Sequence, residues 1–185
     1  MMPIGPLMIE HRLIERMIAL LRTEVAHAAK ERSANAVLLE SAVDFIRVYA
    51  DRTHHGKEED ILFRDLASKD LSSEDRRVMD ELISEHLYAR RTVQGLVEAT
   101  DLYLQRDAGA ITAIAEGLQA LVVLYPAHIV KEDKVFFPAS MTYLDRQAQA
   151  AMIDEMREFD RKMIHEKYRA VVEDIDVSKA LRHPD

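Results

Sequence analysis

Histidine and carboxylate side chains recur in this chain at a spacing suited to holding metal. The segment His54-His55-Gly56-Lys57-Glu58-Glu59-Asp60-Ile61-Leu62-Phe63 is echoed by His128-Ile129-Val130-Lys131-Glu132-Asp133-Lys134-Val135-Phe136-Phe137. Each copy sets a glutamate four residues after a histidine, and helical residues i and i+4 lie one above the other on one face. Two such pairs, together with His11 and His86, make a candidate dinuclear site of His11, His54, Glu58, His86, His128 and Glu132. There is no cysteine, so disulfides, iron-sulfur clusters and thiolate chemistry are excluded. Mixed imidazole and carboxylate ligation suits iron, manganese or zinc, and bridging carboxylates offset the repulsion between two close cations.

Such ligands need long helices to position them. Few glycines and prolines, with abundant Ala, Leu, Glu and Arg, predict an all-α protein. A first helix is expected from after Pro3-Ile4-Gly5-Pro6 to about Arg32, and a second from about Asn35 to Ala67. Ser72 caps a third, reaching about Gln105, and a fourth runs from about Ala110 to Phe137, where Pro138 stops it. A fifth spans about Arg146 to Glu173, and the tail from Ser178 to Asp185 is frayed. The expected architecture is a single domain over residues 1–177: an up-down-up-down four-helix bundle over about 6–138, with the additional C-terminal helix packed across or beside it. In that topology His54, His86 and His128 lie at bundle depths agreeing to within roughly 6 Å, at about 1.5 Å per residue. His11 sits nearer its helix start, so the first helix must begin deeper.

The side chains must also face inward. His128 and Glu132 share a stripe with Leu118, Leu121, Leu124, Tyr125 and Val135; His86 with Val78, Leu82, Ala89 and Val93; His11 with Ile14, Ile18, Leu21 and Val25. On the second helix two registers compete, His54 with Glu58 or His55 with Glu59. The His54 line meets Val43, Ile46, Ala50 and Ile61, whereas the His55 line meets Asp44, Arg47 and Asp51, so His54 with Glu58 is the expected inward pair.

One histidine on an apolar face is usually a satisfied core residue. Four inward histidines with two inward glutamates are different, because buried carboxylates need partners or a cation. Glu15 follows His11 at the same spacing, with a surface ion pair to Arg12 or Arg16 as the competing reading. His27 is too far along the first helix to join the site; His165 reads as surface or helix packing, and His183 as tail. Tyr49 and Tyr125 lie near the expected centre, where either could donate a hydrogen bond or ligate ferric iron, with core packing as the plainer role.

The ordered set resembles the hemerythrin-like HHE cation-binding family: a histidine on the first helix, His-x-x-x-Glu on the second, a histidine on the third and His-x-x-x-Glu on the fourth. The matching positions are His11, His54 to Glu58, His86, and His128 to Glu132, and coverage runs from about residue 6 to 138. The resemblance implies two non-heme iron ions as a di-iron centre, bridged by Glu58 and Glu132 and a bridging oxygen species, and capped by the four histidines. Oxygen-carrying hemerythrins have a further histidine four residues after the third-helix one, where this chain has Arg90, and an aspartate five residues after the last histidine. Asp133 has that spacing and competes with Glu132 as the bridge.

The expected function is a di-iron protein binding oxygen or a related small diatomic for sensing, storage or scavenging. The alternative is a redox enzyme acting on peroxide, nitric oxide or ferrous iron with an electron donor. A formal charge of -8 and a sequence pI near 5.5 disfavour nonspecific binding to nucleic acid or anionic membranes. No basic stretch precedes a long apolar run at the N-terminus, and no segment reads as a membrane span, so the expected location is cytoplasmic. An apolar stripe on the fifth helix packs on the bundle or, alternatively, supports a homodimer.

Overall fold

The structure, a computed structural model, describes residues 2–107 and 109–182, with side chains described through His165 and at Lys167. Among these residues there is no strand; the fold is an all-α bundle with a C-terminal helix. Helix α1 covers Ile4–Glu31, α2 covers 36–67, α3 covers Ser73–Leu104, α4 covers 110–140 and α5 covers Arg146–Arg182. A single 3-10 turn, Met141–Tyr143, precedes α5.

Local chemistry accounts for most of the ends. The Asn35 side chain accepts the Leu38 N–H at the start of α2, and the Ser72 hydroxyl accepts the Asp75 N–H at the start of α3. Arg32 closes α1 in the left-handed region at φ 52°, returning its N–H to the Ala28 carbonyl. Helix α1 starts at Ile4, earlier than expected, because Gly5 and Pro6 fall in a first turn whose N–H groups have no helical acceptor to lose. That extension supplies the depth His11 requires.

Two other ends differ from expectation. Pro138 does not stop α4, which continues to Ser140. It sits at the seam between a π-helical segment, Glu132–Phe136, and a last α-turn, and the first turn of a helix tolerates a residue without an N–H. Helix α5 runs past Glu173 to Arg182, including the first part of the expected tail, while residues 183–185 lie outside the described residues.

Helix α4 packs between α1 and α3, and α2 lies against both α1 and α3. The core is divided along the bundle. Leu7, Leu62, Leu66, Leu82, Phe136 and Phe137 fill one cluster, and Ile14, Ile18, Ile46, Leu96, Leu118 and Leu121 another. A polar layer therefore has apolar floors on both sides. Met152 and Met156 of α5 join the first cluster, and Phe159 rests over Gly56 of α2, where an added Cβ would come within 2.7 Å of the ring.

By length and composition, Ala110–Tyr143 contains an 18-residue window of mean hydropathy 1.5, apolar enough to cross a membrane, which corrects the expectation that no segment would be. The physical reason is its central place: a helix packed on two others needs a wide apolar face.

Candidate metal centre

Helix α2 is wound differently where the chemistry lies. Its α-helical start, Ala36–Asp44, gives way to π-helix over Phe45–His55 and Glu58–Phe63 before an α-helical end, Arg64–Ala67. The Thr53 hydroxyl reinforces the wider turn by donating to the Val48 carbonyl, five residues back, at 2.7 Å. A turn closed by i→i+5 bonds separates neighbouring side chains by less than the α-helical 100°. His54 and His55 consequently both point inward, each 1% exposed. The expected inward pair, His54 with Glu58, faces the centre, and the π winding turns His55 inward as well.

Seven side chains converge between the two apolar clusters. One group comprises His11, His54, Glu58 and Glu132, the other His55, Glu58, His86 and His128, and within each group the potential ligand atoms lie within 4.8 Å of one another. Glu58 belongs to both. All six residues singled out from the sequence are brought together, and His55 is added. His11 Nε2 is 3.1 Å from Glu132 Oε2, His54 Nε2 is 3.4 Å from Glu58 Oε1, and His128 Nε2 is 3.3 Å from Glu132 Oε1. His86 Nε2 lies 3.5 Å from Glu58 Oε2 and 3.9 Å from Glu132 Oε1. Its ring stacks on His55 at 3.8 Å.

Each imidazole is held from behind by a carboxylate on its Nδ1: His11 by Asp133 at 2.7 Å, His54 by Glu10 at 2.9 Å, His55 by Asp51 at 3.3 Å, His86 by Glu59 at 2.6 Å and His128 by Glu85 at 2.8 Å. A carboxylate there draws the proton to Nδ1 and leaves the Nε2 lone pair facing the centre, the tautomer a metal ligand requires. Basic residues anchor these carboxylates in turn. Lys57 bonds Glu10 and pairs with Asp160; Lys131 bonds Glu85 at 2.6 Å; Arg12 bonds Asp133 at 2.5 Å; Arg90 bonds Asp51 at 2.7 Å and Glu59 at 2.8 Å.

The donor set fits a pair of cations. Nε2 of His11, His54 and His55, and both oxygens of Glu58 and Glu132, are buried without a hydrogen-bond partner. His86 and His128 point Nε2 atoms at each other across 3.2 Å, which sets two lone pairs face to face when both Nδ1 atoms carry protons. Leaving so many acceptors dry and unpaired costs several kcal/mol in aggregate, at about 1–3 kcal/mol per group. Cations shared among them would remove that cost.

Electrostatics show the same strain in the protein alone. Burial and the facing Glu132 push Glu58 well above the usual carboxylate range. Glu132 is held well below it by His128 and His11, against its own burial. Burial drives His54 down to about 4, and burial with the neighbouring His86 drives His55 well below its ordinary value. His128 is raised to about 9, since Glu132 and Glu85 outweigh its burial.

The structure separates the remaining candidates. Asp133 binds the back of His11 and Arg12, so Glu132, not Asp133, faces the centre. Glu15 pairs with Arg12 at 3.1 Å on the surface. His27 and His165 are exposed away from the site, and His183 lies outside the described residues. Tyr125 is buried beside His55, whereas Tyr49 stacks on Phe45. Sequence reasoning set His55 aside in favour of His54, and missed Glu10, Glu85 and Asp51 behind the imidazoles. One signal was available: Glu10-His11 and Glu85-His86 are the same dipeptide on the two helices that each supply a lone histidine.

Uncharacterized proteins of Mycobacterium tuberculosis and Mycobacterium bovis are each 22% identical over 177 residues, spanning 95% of this chain and 68% of their own length. No solved structure matches the chain significantly. The model of the hemerythrin HHE cation-binding domain matches residues 2–140, which includes every residue of the two metal-binding groups. With the match covering most of its length, the chain belongs to the hemerythrin HHE cation-binding family.

Proposed function

We propose that this protein is a non-heme di-iron protein that binds oxygen or a related small diatomic, as a sensor, store or scavenger. The observation carrying this reading is the ring of buried acceptor atoms with no partner, each imidazole oriented by a carboxylate behind it. His11, His54 and Glu132 would hold one iron, and His55, His86 and His128 the other, with Glu58 within reach of both. Bound iron supplies reversible electron transfer and a position open to a small ligand. His55 takes the part of the extra histidine that oxygen carriers place where Arg90 stands. Apolar clusters on both sides keep bulk water from the centre.

The second reading is a redox enzyme acting on peroxide, nitric oxide or ferrous iron. One observation favours it: Lys131, 25% exposed, links solvent through Glu85 to His128 and offers a route for protons.

Metal analysis with optical and Mössbauer spectra of anaerobically purified protein, before and after oxygen, peroxide and nitric oxide, tests both. Spectral changes that reverse on removing oxygen support the binding protein, and catalytic loss of a substrate under reductant supports the enzyme. Less than about one iron per chain from iron-replete cells, with no gain on reconstitution, overturns the di-iron reading.

A further inference from the structure

Tyr125 is 2% exposed, and its hydroxyl is buried without a hydrogen-bond partner. A buried tyrosine normally finds one, because an unpaired hydroxyl forfeits its hydration for nothing. The residue sits on α4 one turn before His128, and its ring lies nearly parallel to that of His55, with centroids 6.3 Å apart. The phenol is within electrostatic reach of Asp51, Arg90, Glu132 and Glu58, that is, of both central carboxylates.

Two crevices, each of about 200 Å³, reach Tyr125 from different sides. The first opens between α2 and α3, past Arg47 and Gln94 on its rim and the Asp51–Arg90 ion pair within. The second opens between α1 and α4, past Glu15 and Arg22, and ends on Pro126 and Ile129. Only the first is lined by the carboxylate that holds His55, and its cations suit an incoming anion or polar molecule.

Resting on the di-iron reading, we propose that the α2–α3 crevice is the route by which a small ligand bearing an acceptor atom, such as peroxide or a compact anion, reaches the centre, and that the Tyr125 hydroxyl donates a hydrogen bond to that ligand. The orphaned donor then has its partner when the ligand is present. Phenylalanine at 125 keeps the ring against His55 and removes only this bond.

The test uses iron-loaded full-length protein and azide as the probe. Tyr125→Phe retains the iron content and the ligand-free spectrum of the unchanged protein but binds azide about 10-fold more weakly, with a shifted charge-transfer band. Gln94→Trp, closing the rim of the α2–α3 crevice, slows azide association about 10-fold, while Ala19→Trp over the α1–α4 crevice leaves it unchanged. Full iron with equal azide affinity in Tyr125→Phe overturns the hydrogen bond. Slowing by Ala19→Trp and not by Gln94→Trp overturns the route. Failure of the unchanged protein to take up iron overturns the di-iron reading and this inference with it.

Discussion

The two halves of the bundle, α1 with α2 and α3 with α4, build the same outer layer around the centre. Glu10 holds His54 and is bonded by Lys57; Glu85 holds His128 and is bonded by Lys131. Asp133 holds His11, and Glu59, its counterpart in the other repeat, holds His86. The halves part company at two places. His55 supplies an extra imidazole where the second repeat has Ile129, so the two candidate cation positions differ in nitrogen count. Lys57 is wholly buried under α5, where Asp160 meets it, while Lys131 keeps a quarter of its side chain in solvent. Matched outer layers fix the tautomers, and the mismatches make the two positions chemically distinct.

Erasing the first mismatch has the largest expected effect. His55→Ile, which copies the second repeat, is expected to lose one of the two cations while the His11 group keeps its own, as read by metal analysis. Equal loss from both positions would mean that the groups are not separable. The second mismatch is tested on stability. Lys57→Met leaves Glu10 and Asp160 without their buried cation and should cost about 3–5 kcal/mol in urea unfolding. Lys131→Met, at a part-exposed pair, should cost about 0–1 kcal/mol. The shared outer layer predicts equality: Glu10→Gln and Glu85→Gln should each weaken metal affinity about 10–100-fold in competition with a chelator. The smallest effect concerns the seat of α5. Gly56→Ala should destabilise by about 1–3 kcal/mol through overpacking on Phe159, whereas Val130→Ala, at its exposed counterpart, should stay within about 0.5 kcal/mol.

How much of this was legible in the sequence follows from the range of the interactions. Asn35 and Ser72 announced their helix starts because capping is decided within three residues. The inward faces of α1, α3 and α4 followed from α-helical periodicity, so His11, His86, His128 and Glu132 were found. His55 was set aside because the same periodicity was applied to α2, whose π winding sets a different angle per residue. Glu10, Glu85 and Asp51 resembled ordinary surface charges, and only tertiary packing turns them toward imidazoles. The Lys57–Asp160 pair joins residues far apart in the chain, and no local pattern announces it.

Gly56 has a consequence for how the last helix finds its place. A bundle with two such similar halves offers α5 two similar sides on which to settle, one along α2 and one along α4. At the position where α2 has a hydrogen, α4 carries the isopropyl group of Val130, 57% exposed. Phe159 can close down on the first and would be held off by the second. The absence of a side chain at Gly56 thus breaks a near tie, and with it decides which of two equivalent lysines is shut away from water.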